Sequence, residues 1–191
     1  MNKMIVAVAG AALVASGASA QIKTYTGAGG DLPDVTQNRF SIFVPDHGPA
    51  TVENISLLIE HTWVGDLFIE VRQKTPNGSS LVLMDRPGVP QSTFGNSDGL
   101  NGRYDFNDGG LPFPEDAADG EVPPGSYQAT ASTHRLDTSD KFGEWSLFIS
   151  DNAGGDEGVL FEWSITMNNI PAPSSLALLG LGGLVAGRRR R

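Results

Sequence analysis

The chain has 191 residues, of which 13 are basic and 22 acidic, and none is cysteine. The lack of cysteine excludes disulfides, thiolate metal sites, a cysteine nucleophile and a lipidated N-terminal cysteine. Outside Lys3 and the arginines from Arg188 to Arg191, 8 basic residues stand against all 22 acidic ones, so the central part carries a net charge of −14. Such a body repels phosphate backbones, and no nucleic-acid partner is expected.

An export signal is predicted at residues 1–20. Lys3 precedes the apolar run from Met4 to Val14, and Ala18-Ser19-Ala20 has the small-residue pattern of a signal-peptide cleavage site. Cleavage is therefore expected before Gln21. A buried first helix is the alternative, and it fits less well because the run is rich in Gly and Ala and ends in the cleavage pattern.

Residues 21–169 are predicted to form one all-β domain. Helical periodicity is missing, and short segments of alternating apolar residues stand between Gly- and Pro-containing turns, as in a sandwich or barrel. The alternating sets are Phe40/Ile42/Val44, Val52 followed by Ile55/Leu57/Ile59, Leu67/Ile69/Val71, Leu81 to Met84, Trp145/Leu147/Ile149 and Phe161/Trp163/Ile165. A phase slip near Asn54 predicts a β-bulge.

Three connections complete this pattern. Thr75-Pro76-Asn77-Gly78 predicts the tight turn of a hairpin, since Pro presets φ and Asn-Gly accepts positive φ. The acidic, Gly-rich stretch from Asp151 to Gly158 is expected to join the last two strands as an antiparallel hairpin. The stretch from Gly88 to Ser126 is interpreted as a long loop, and loops of this length are usually functional or stabilised by a ligand.

The C-terminal segment, residues 170–191, has three parts. A Pro-containing stretch from Ile170 to Ser175 precedes the apolar run from Leu176 to Gly187, and Arg188 to Arg191 follow. The run predicts a short hydrophobic helix that falls short of the ~20 residues needed to span a bilayer, and the arginines would keep its end at the cytoplasmic side. Transient membrane insertion is expected, with a degenerate single-span anchor as the alternative.

This three-part order resembles the PEP-CTERM sorting signal of Gram-negative bacteria, which an exosortase recognises and processes. The motif normally reads Pro-Glu-Pro, whereas Pro171-Ala172-Pro173 has Ala in the Glu position. The resemblance implies an exosortase-type partner and a destination at the cell envelope, outer surface or extracellular matrix of a Gram-negative-type bacterium.

Five motifs in the central part follow one another at the spacing of a known domain. They are Asn54-Ile55, His61-Thr62-Trp63-Val64-Gly65-Asp66-Leu67, Thr75-Pro76-Asn77-Gly78, Gly143-Glu144-Trp145-Ser146-Leu147, and Asp151 to Leu160 with Trp163. Together they resemble the P (Homo B) domain of proprotein convertases and bacterial subtilases, over roughly residues 50–167. The resemblance implies a jelly-roll β-sandwich of the galactose-binding-like type, which in convertases packs beside a subtilisin-like catalytic domain.

No catalytic function is expected of the chain itself. A subtilisin-like domain needs Asp, His and Ser in separate motifs, whereas the histidines here are His47, His61 and His134, and no Gly-x-Ser-x-Gly elbow occurs. His61 lies in the strand-entry motif and is interpreted as a polar residue bonded at a strand end.

Structural calcium is the predicted cofactor. Ca²⁺ takes about six to eight oxygen ligands from carboxylates, amides and carbonyls. Two acidic segments offer them, one through Asp151 and Asp156 and the other, from Asn101 to Asp108, through Asp105 and Asp108. Asp66 could complete either site. The alternative is that these acids are solvated turn residues.

Two functional interpretations remain open. The first is an exported, non-catalytic surface or matrix module that binds a polysaccharide or protein; the second is an accessory module associated with a subtilisin-like serine endopeptidase. Trp145 and Trp163 alternate with core residues and belong to the interior, whereas Trp63 either caps the edge of the sandwich or offers a sugar-stacking surface.

Overall fold

The computed structural model describes residues 20–75, 78–116 and 120–170, and within them strands dominate. The predicted leader at residues 1–20, except Ala20, and the predicted C-terminal hydrophobic helix lie outside the described residues. No helix in the described parts is long and apolar enough to cross a bilayer. Ala20–Ile170 cluster as one compact unit.

Two sheets pack face to face. The strands, in chain order, are β1 (Gln21–Leu32), β2 (Gln37–Val44), β3 (Ala50–His61), β4 (Leu67–Gln73), β5 (Ser80–Asp85), β6 (Gly99–Leu111), β7 (Glu121–Val122), β8 (Gly125–Tyr127), β9 (Gly143–Asp151) and β10 (Gly158–Asn169). The first sheet has the order β1-β10-β3-β6-β7, with β8 also paired to β6, and the second has the order β2-β9-β4-β5. The all-β sandwich predicted from the alternating segments is confirmed.

The core lies between the two sheets and is filled by the residues that alternate along the strands. Trp145 and Trp163 are fully buried, as are Tyr104 and Phe106 on β6. Side chains at every second position of a strand share one face, so the period-two pattern gives each sheet one apolar face. The two apolar faces close over a single interior.

Two bulges in β10 and β3 shift this alternation. Thr166 pairs with Asn54 but Met167 pairs with Val52, so one extra residue of β3 lies beside Asn54 and the predicted bulge is confirmed. A second irregularity lies between Leu160 and Glu162. It turns Phe161 outward, where 49% of the residue is exposed, so the expectation that Phe161 shares the buried face of Trp163 was wrong.

Of the two predicted hairpins, the structure contains one. β4 pairs antiparallel with β5, and the amide of Gly78 donates to the carbonyl of Thr75 at 2.9 Å, the bond that closes a β-turn; Pro76 and Asn77 lie outside the described residues. β9 and β10, however, belong to different sheets. β9 lies between β2 and β4, and β10 lies between β1 and β3. The segment between β9 and β10 therefore crosses from one sheet to the other.

The long loop predicted from Gly88 to Ser126 contains the 13-residue strand β6. Gly99, Leu100, Tyr104 and Phe106 are its buried residues, and its other positions are polar or Gly except Leu111 at the end. The polar residues and glycines between and after the buried positions concealed an ordinary strand.

Candidate functional site at the acidic rim

Three of the five predicted metal ligands, Asp66, Asp151 and Asp156, come together at one rim of the sandwich. Leu67 at the start of β4 pairs with Asp151 at the end of β9, which sets Asp66 beside Asp151. Asn152 fastens the connection, because its backbone amide and its side-chain amide both donate to the carbonyl of Asp66, at 3.0 and 2.8 Å.

Asp66 is a buried carboxylate with like charges around it. It follows Trp63 in a short 3-10 turn (Val64–Asp66), and only 3% of the residue is exposed. Burial raises the pKa of its carboxyl group, and the charges of Asp151 and Asp156 raise it further. Arg86 opposes this, with Nη2 3.7 Å from Oδ1 of Asp66. The position therefore attracts a positive charge.

His61 and Asp151 meet below the rim. Nε2 of His61 lies 3.5 Å from Oδ2 of Asp151, and the two side chains are 0% and 1% exposed. In the described part of the chain neither of these two atoms has a hydrogen-bond partner, since 3.5 Å exceeds a normal hydrogen bond. The other ring nitrogen of His61 lies 3.1 Å from the carbonyl oxygen of Trp63.

Asp156 is held from both sides of the connection between β9 and β10. The hydroxyl of Thr62 donates to its carboxylate at 2.8 Å. The carboxylate of Asp34 accepts from the amides of Gly155 at 2.8 Å and of Asp156 at 3.4 Å. Asp34, which sequence reasoning missed, thus braces the loop from the turn between β1 and β2. Its only sequence signal is an acidic residue in a Pro-containing turn.

Asp105 and Asp108 do not join this group. Asp105 lies on β6, where its carboxylate accepts from the amide of Asn54 at 3.0 Å. Asp108, further along the same strand, accepts from the hydroxyl of Ser132 at 2.5 Å and the amide of Thr133 at 2.8 Å. The segment from Asn101 to Asp108 belongs to an extended strand, so the expectation of a loop there was wrong, whereas a metal role for Asp105 and Asp108 stays a prediction.

The rim has some of the features of a cation site and lacks others. Asp66 and Asp151 supply two buried carboxylates, and the unpartnered oxygen of Asp151 is the atom with most to gain from a cation. Arg86 and His61 already stand next to these carboxylates. In the three described stretches, no group of three or more His, Cys, Asp or Glu side chains could hold a metal ion as arranged.

A cleft of about 470 Å³ opens beside this rim. Glu60, Glu121 and Glu157 line it together with His61 and Asn101. Trp63 follows Thr62, which also lines the cleft, and its indole N–H donates to the carbonyl of Phe94 at 2.7 Å. The ring is therefore fastened to the loop before β6, at the edge of the sandwich.

Comparison with known proteins identifies the C-terminal segment. Residues 169–191 match the PEP-CTERM protein-sorting motif. The chain carries a PEP-CTERM sorting motif. Such motifs mark exported proteins that are sorted to the cell surface of Gram-negative bacteria, and an exosortase processes them. The predicted sorting signal is therefore confirmed, and with it the general predictions of export and of a destination at the cell surface.

Solved structures resemble the chain only distantly, and no curated protein matches its sequence. A serine protease of Aeromonas sobria in complex with the chaperone ORF2 is 15% identical, with a TM-score of 0.41, over 81% of this chain and 27% of that one. A second structure, of a serine protease of Aeromonas sobria, is 15% identical, with a TM-score of 0.43, over 78% of this chain and 26% of that one. The chain thus spans about a quarter of these proteins, and its relation to P domains remains a prediction.

Proposed function

We propose that the protein is a non-catalytic binding module of the cell surface or extracellular matrix, with a polysaccharide or protein as its ligand. The observation that carries the proposal is the sorting motif at residues 169–191, which follows directly on the β-sandwich. A chain sorted to the surface in this way delivers its own folded domain there. The domain offers broad sheet faces and a polar rim.

The surroundings of the histidines support a non-catalytic role. His47 and His134 are exposed and bonded to Asp140 and Asp137, at 3.0 and 3.2 Å. His61 is buried between Trp63 and Asp151. A triad needs a nucleophile at the free nitrogen of its histidine, and that position on His61 is occupied by the Asp151 carboxylate. Casein cleavage that a serine-hydrolase inhibitor blocks would overturn this part of the proposal.

Structural calcium is part of the same proposal. The buried Asp66 and Asp151 would be the first ligands, and Asp156 would have to move towards them to complete a set of three carboxylates. The charge of the ion would offset the burial and the repulsion that raise the pKa of Asp66, and it would give the buried oxygen of Asp151 a partner. The ion would brace the connections between the two sheets and supply no reaction chemistry.

Surface sorting is tested by expressing the full chain in a Gram-negative host that contains an exosortase. We expect the protein on the cell surface, with mass spectrometry showing that the segment ending in Arg191 has been removed. A variant with Arg188 to Arg191 changed to Gln should stay unprocessed. Ala172→Glu, which restores Pro-Glu-Pro, is the matched control and should be processed at least as well. Equal surface display of the wild type and the Gln variant would contradict the proposal.

A further inference from the structure

A cluster of positive charge lies on the outer face of the sheet β2-β9-β4-β5. Arg39 on β2 and Arg72 on β4 flank Phe148 on β9, with their guanidinium carbons 5.9 and 4.6 Å from the centre of its ring. Lys74 follows β4 on the same side. Together with Ser146 and Gln73 they line a shallow depression of about 260 Å³. We call Arg39, Arg72, Lys74 and Phe148 the basic patch.

The basic patch stands out from the charge of the rest of the domain. Between the leader and the sorting segment only 8 residues are basic against 22 acidic ones. Three of those cations lie here. Charges of one sign gathered at a depression raise the local concentration of the opposite charge. The patch is therefore the part of this acidic surface that is suited to an anionic group.

Carboxylates beneath the patch hold the cations in place. Glu70, whose side chain is 9% exposed, accepts from Arg72 at 2.5 Å. Glu144, at 28%, contacts Arg39 and accepts from Lys74 at 3.0 Å. The side chains of Arg39, Arg72 and Lys74 are 43%, 51% and 69% exposed. The acids thus lie below and the cationic groups face solvent, with one more positive charge than negative.

These contacts also fix the geometry of the patch. Nε of Arg39 donates to the hydroxyl of Ser146 at 3.0 Å. Hydrogen bonds from Ser41 and Lys74 lower the pKa of Glu144. Burial opposes the ionisation of Glu70, but hydrogen bonds from Arg72 and Ser80 outweigh it and its pKa is also lowered. Cations that are held in position before a ligand arrives lose less side-chain freedom on binding.

We infer that the basic patch binds a carboxylated glycan, with the guanidinium groups of Arg39 and Arg72 pairing with a carboxylate of the sugar. A guanidinium offers a planar pair of donors that matches a carboxylate, and it needs no deep pocket. The exposed hydroxyl of Ser41 lies in the same face and, while it donates to Glu144, its oxygen can accept from a neutral sugar hydroxyl. This inference rests on the proposed function, because the surface is where such polysaccharides are met.

The net charge of the domain further restricts which carboxylated glycans can bind. A domain with a net charge of −14 repels a polymer that carries an anion on every unit. The patch offers one surplus positive charge, which suits carboxylates separated by neutral sugars. Stable protein interfaces instead bury large areas around aromatic anchors, and the ring of Phe148 is already covered by two guanidinium groups.

The test uses the mature chain and a defined pair of ligands. One is an oligosaccharide of alternating glucuronate and N-acetylglucosamine; the other is the same oligosaccharide with its carboxyl groups reduced to alcohols. Calorimetry should detect binding of the acidic ligand only, weakening as salt is raised. Arg39→Gln and Arg72→Gln should each weaken it by about tenfold or more.

Arg103→Gln is the matched control. Arg103 also bonds to a serine and a glutamate, Ser56 and Glu162, and its side chain is 45% exposed, but it lies on β6 in the other sheet. Equal binding of the reduced ligand, no effect of the patch variants, an equal loss in Arg103→Gln, or a preference for a poly-glutamate peptide would overturn the inference. A chain that reaches the surface but fails this test refutes the ligand and leaves the sorting function intact.

Discussion

His61 and Asp151 connect the two sheets at the acidic rim. His61 ends β3 in one sheet, Asp151 ends β9 in the other, and Nε2 lies 3.5 Å from Oδ2. Leaving a buried polar atom without a hydrogen bond costs about 1–3 kcal/mol. The contact between the sheets is therefore a place where an added cation can stabilise the fold.

Calcium should raise the melting temperature of the protein by several degrees relative to EGTA. A ligand that binds only the native state adds stability as its concentration exceeds the dissociation constant, by about 2.7 kcal/mol at a hundredfold excess. Asp66→Asn and Asp151→Asn should remove the calcium effect. Asp105→Asn, on β6 and away from the rim, should retain it. Superimposed melting curves with calcium and EGTA would show that the rim acids are solvated turn residues.

Replacing each of the two buried tryptophans by Phe should destabilise the protein by different amounts. The indole N–H of Trp145 donates to the carbonyl of Lys141 at 3.0 Å, and Lys141 is itself buried. The indole N–H of Trp163 has no hydrogen-bond partner within the described residues. Both substitutions leave a cavity, but only Trp145→Phe also leaves a buried carbonyl without its hydrogen-bond donor. This loss should lower the free energy of unfolding by about a further 1–3 kcal/mol. Urea unfolding should find Trp145→Phe the less stable variant, and the opposite order would contradict this account.

The strands with a clean apolar alternation could be predicted from the sequence. Leu67, Ile69 and Val71 define β4, because period-two burial leaves a direct mark on residue type. β6 could not be recognised in the same way, since most of its positions other than the buried ones are Gly, Asn, Asp or Arg. The alternation also shows that a strand has one buried face without naming its neighbours, so the assignment of β9 and β10 to different sheets was missed.

Only part of the candidate site could likewise be predicted from the sequence. The sequence placed Asp151 and Asp156 in one acidic segment and left Asp66 able to complete either of two sites, and the structure places Asp66 with this pair. The partners that decide their chemistry come from distant parts of the chain. Arg86 reaches Asp66, and Asp34 reaches the loop of Asp156, through contacts that leave no local pattern in the sequence.

Replacing Gly29 by a residue as small as Ala should destabilise the fold. A Cβ on Gly29 would stand 1.8 Å from the carbonyl oxygen of Leu160, a backbone atom of the neighbouring strand at the bulge of β10. The strands would have to separate, so Gly29→Ala should cost about 2 kcal/mol or more of the free energy of unfolding. Gly154→Ala is the control, since its Cβ would meet only side-chain atoms at 3.7 and 3.8 Å. Chemical denaturation of both variants decides the point, and equal stabilities would contradict the tight contact between β1 and β10.

Asp140 should support the fold at neutral pH and lose that role in acid. Its carboxylate accepts hydrogen bonds from His47, from the amide of Gly48 and from the amide of Phe142, and these lower its pKa from 3.8 to about 2. The folded pKa lies below the unfolded one, so the native state favours the ionised group. The resulting stability is present above pH 3.8 and disappears as the pH falls towards 2.

Asp140→Asn should therefore be less stable than the wild type at pH 6, and the difference should vanish near the lowered pKa, about 2. The effect is small because the side chain is 51% exposed, so urea unfolding at several pH values is the suitable measurement. Asp31→Asn, an exposed position on β1, controls for the loss of one negative charge. A gap between wild type and Asp140→Asn that stays constant from pH 6 to 2, or that Asp31→Asn reproduces, would show that the hydrogen bonds to Asp140 do not tie the loop before β3 to the start of β9.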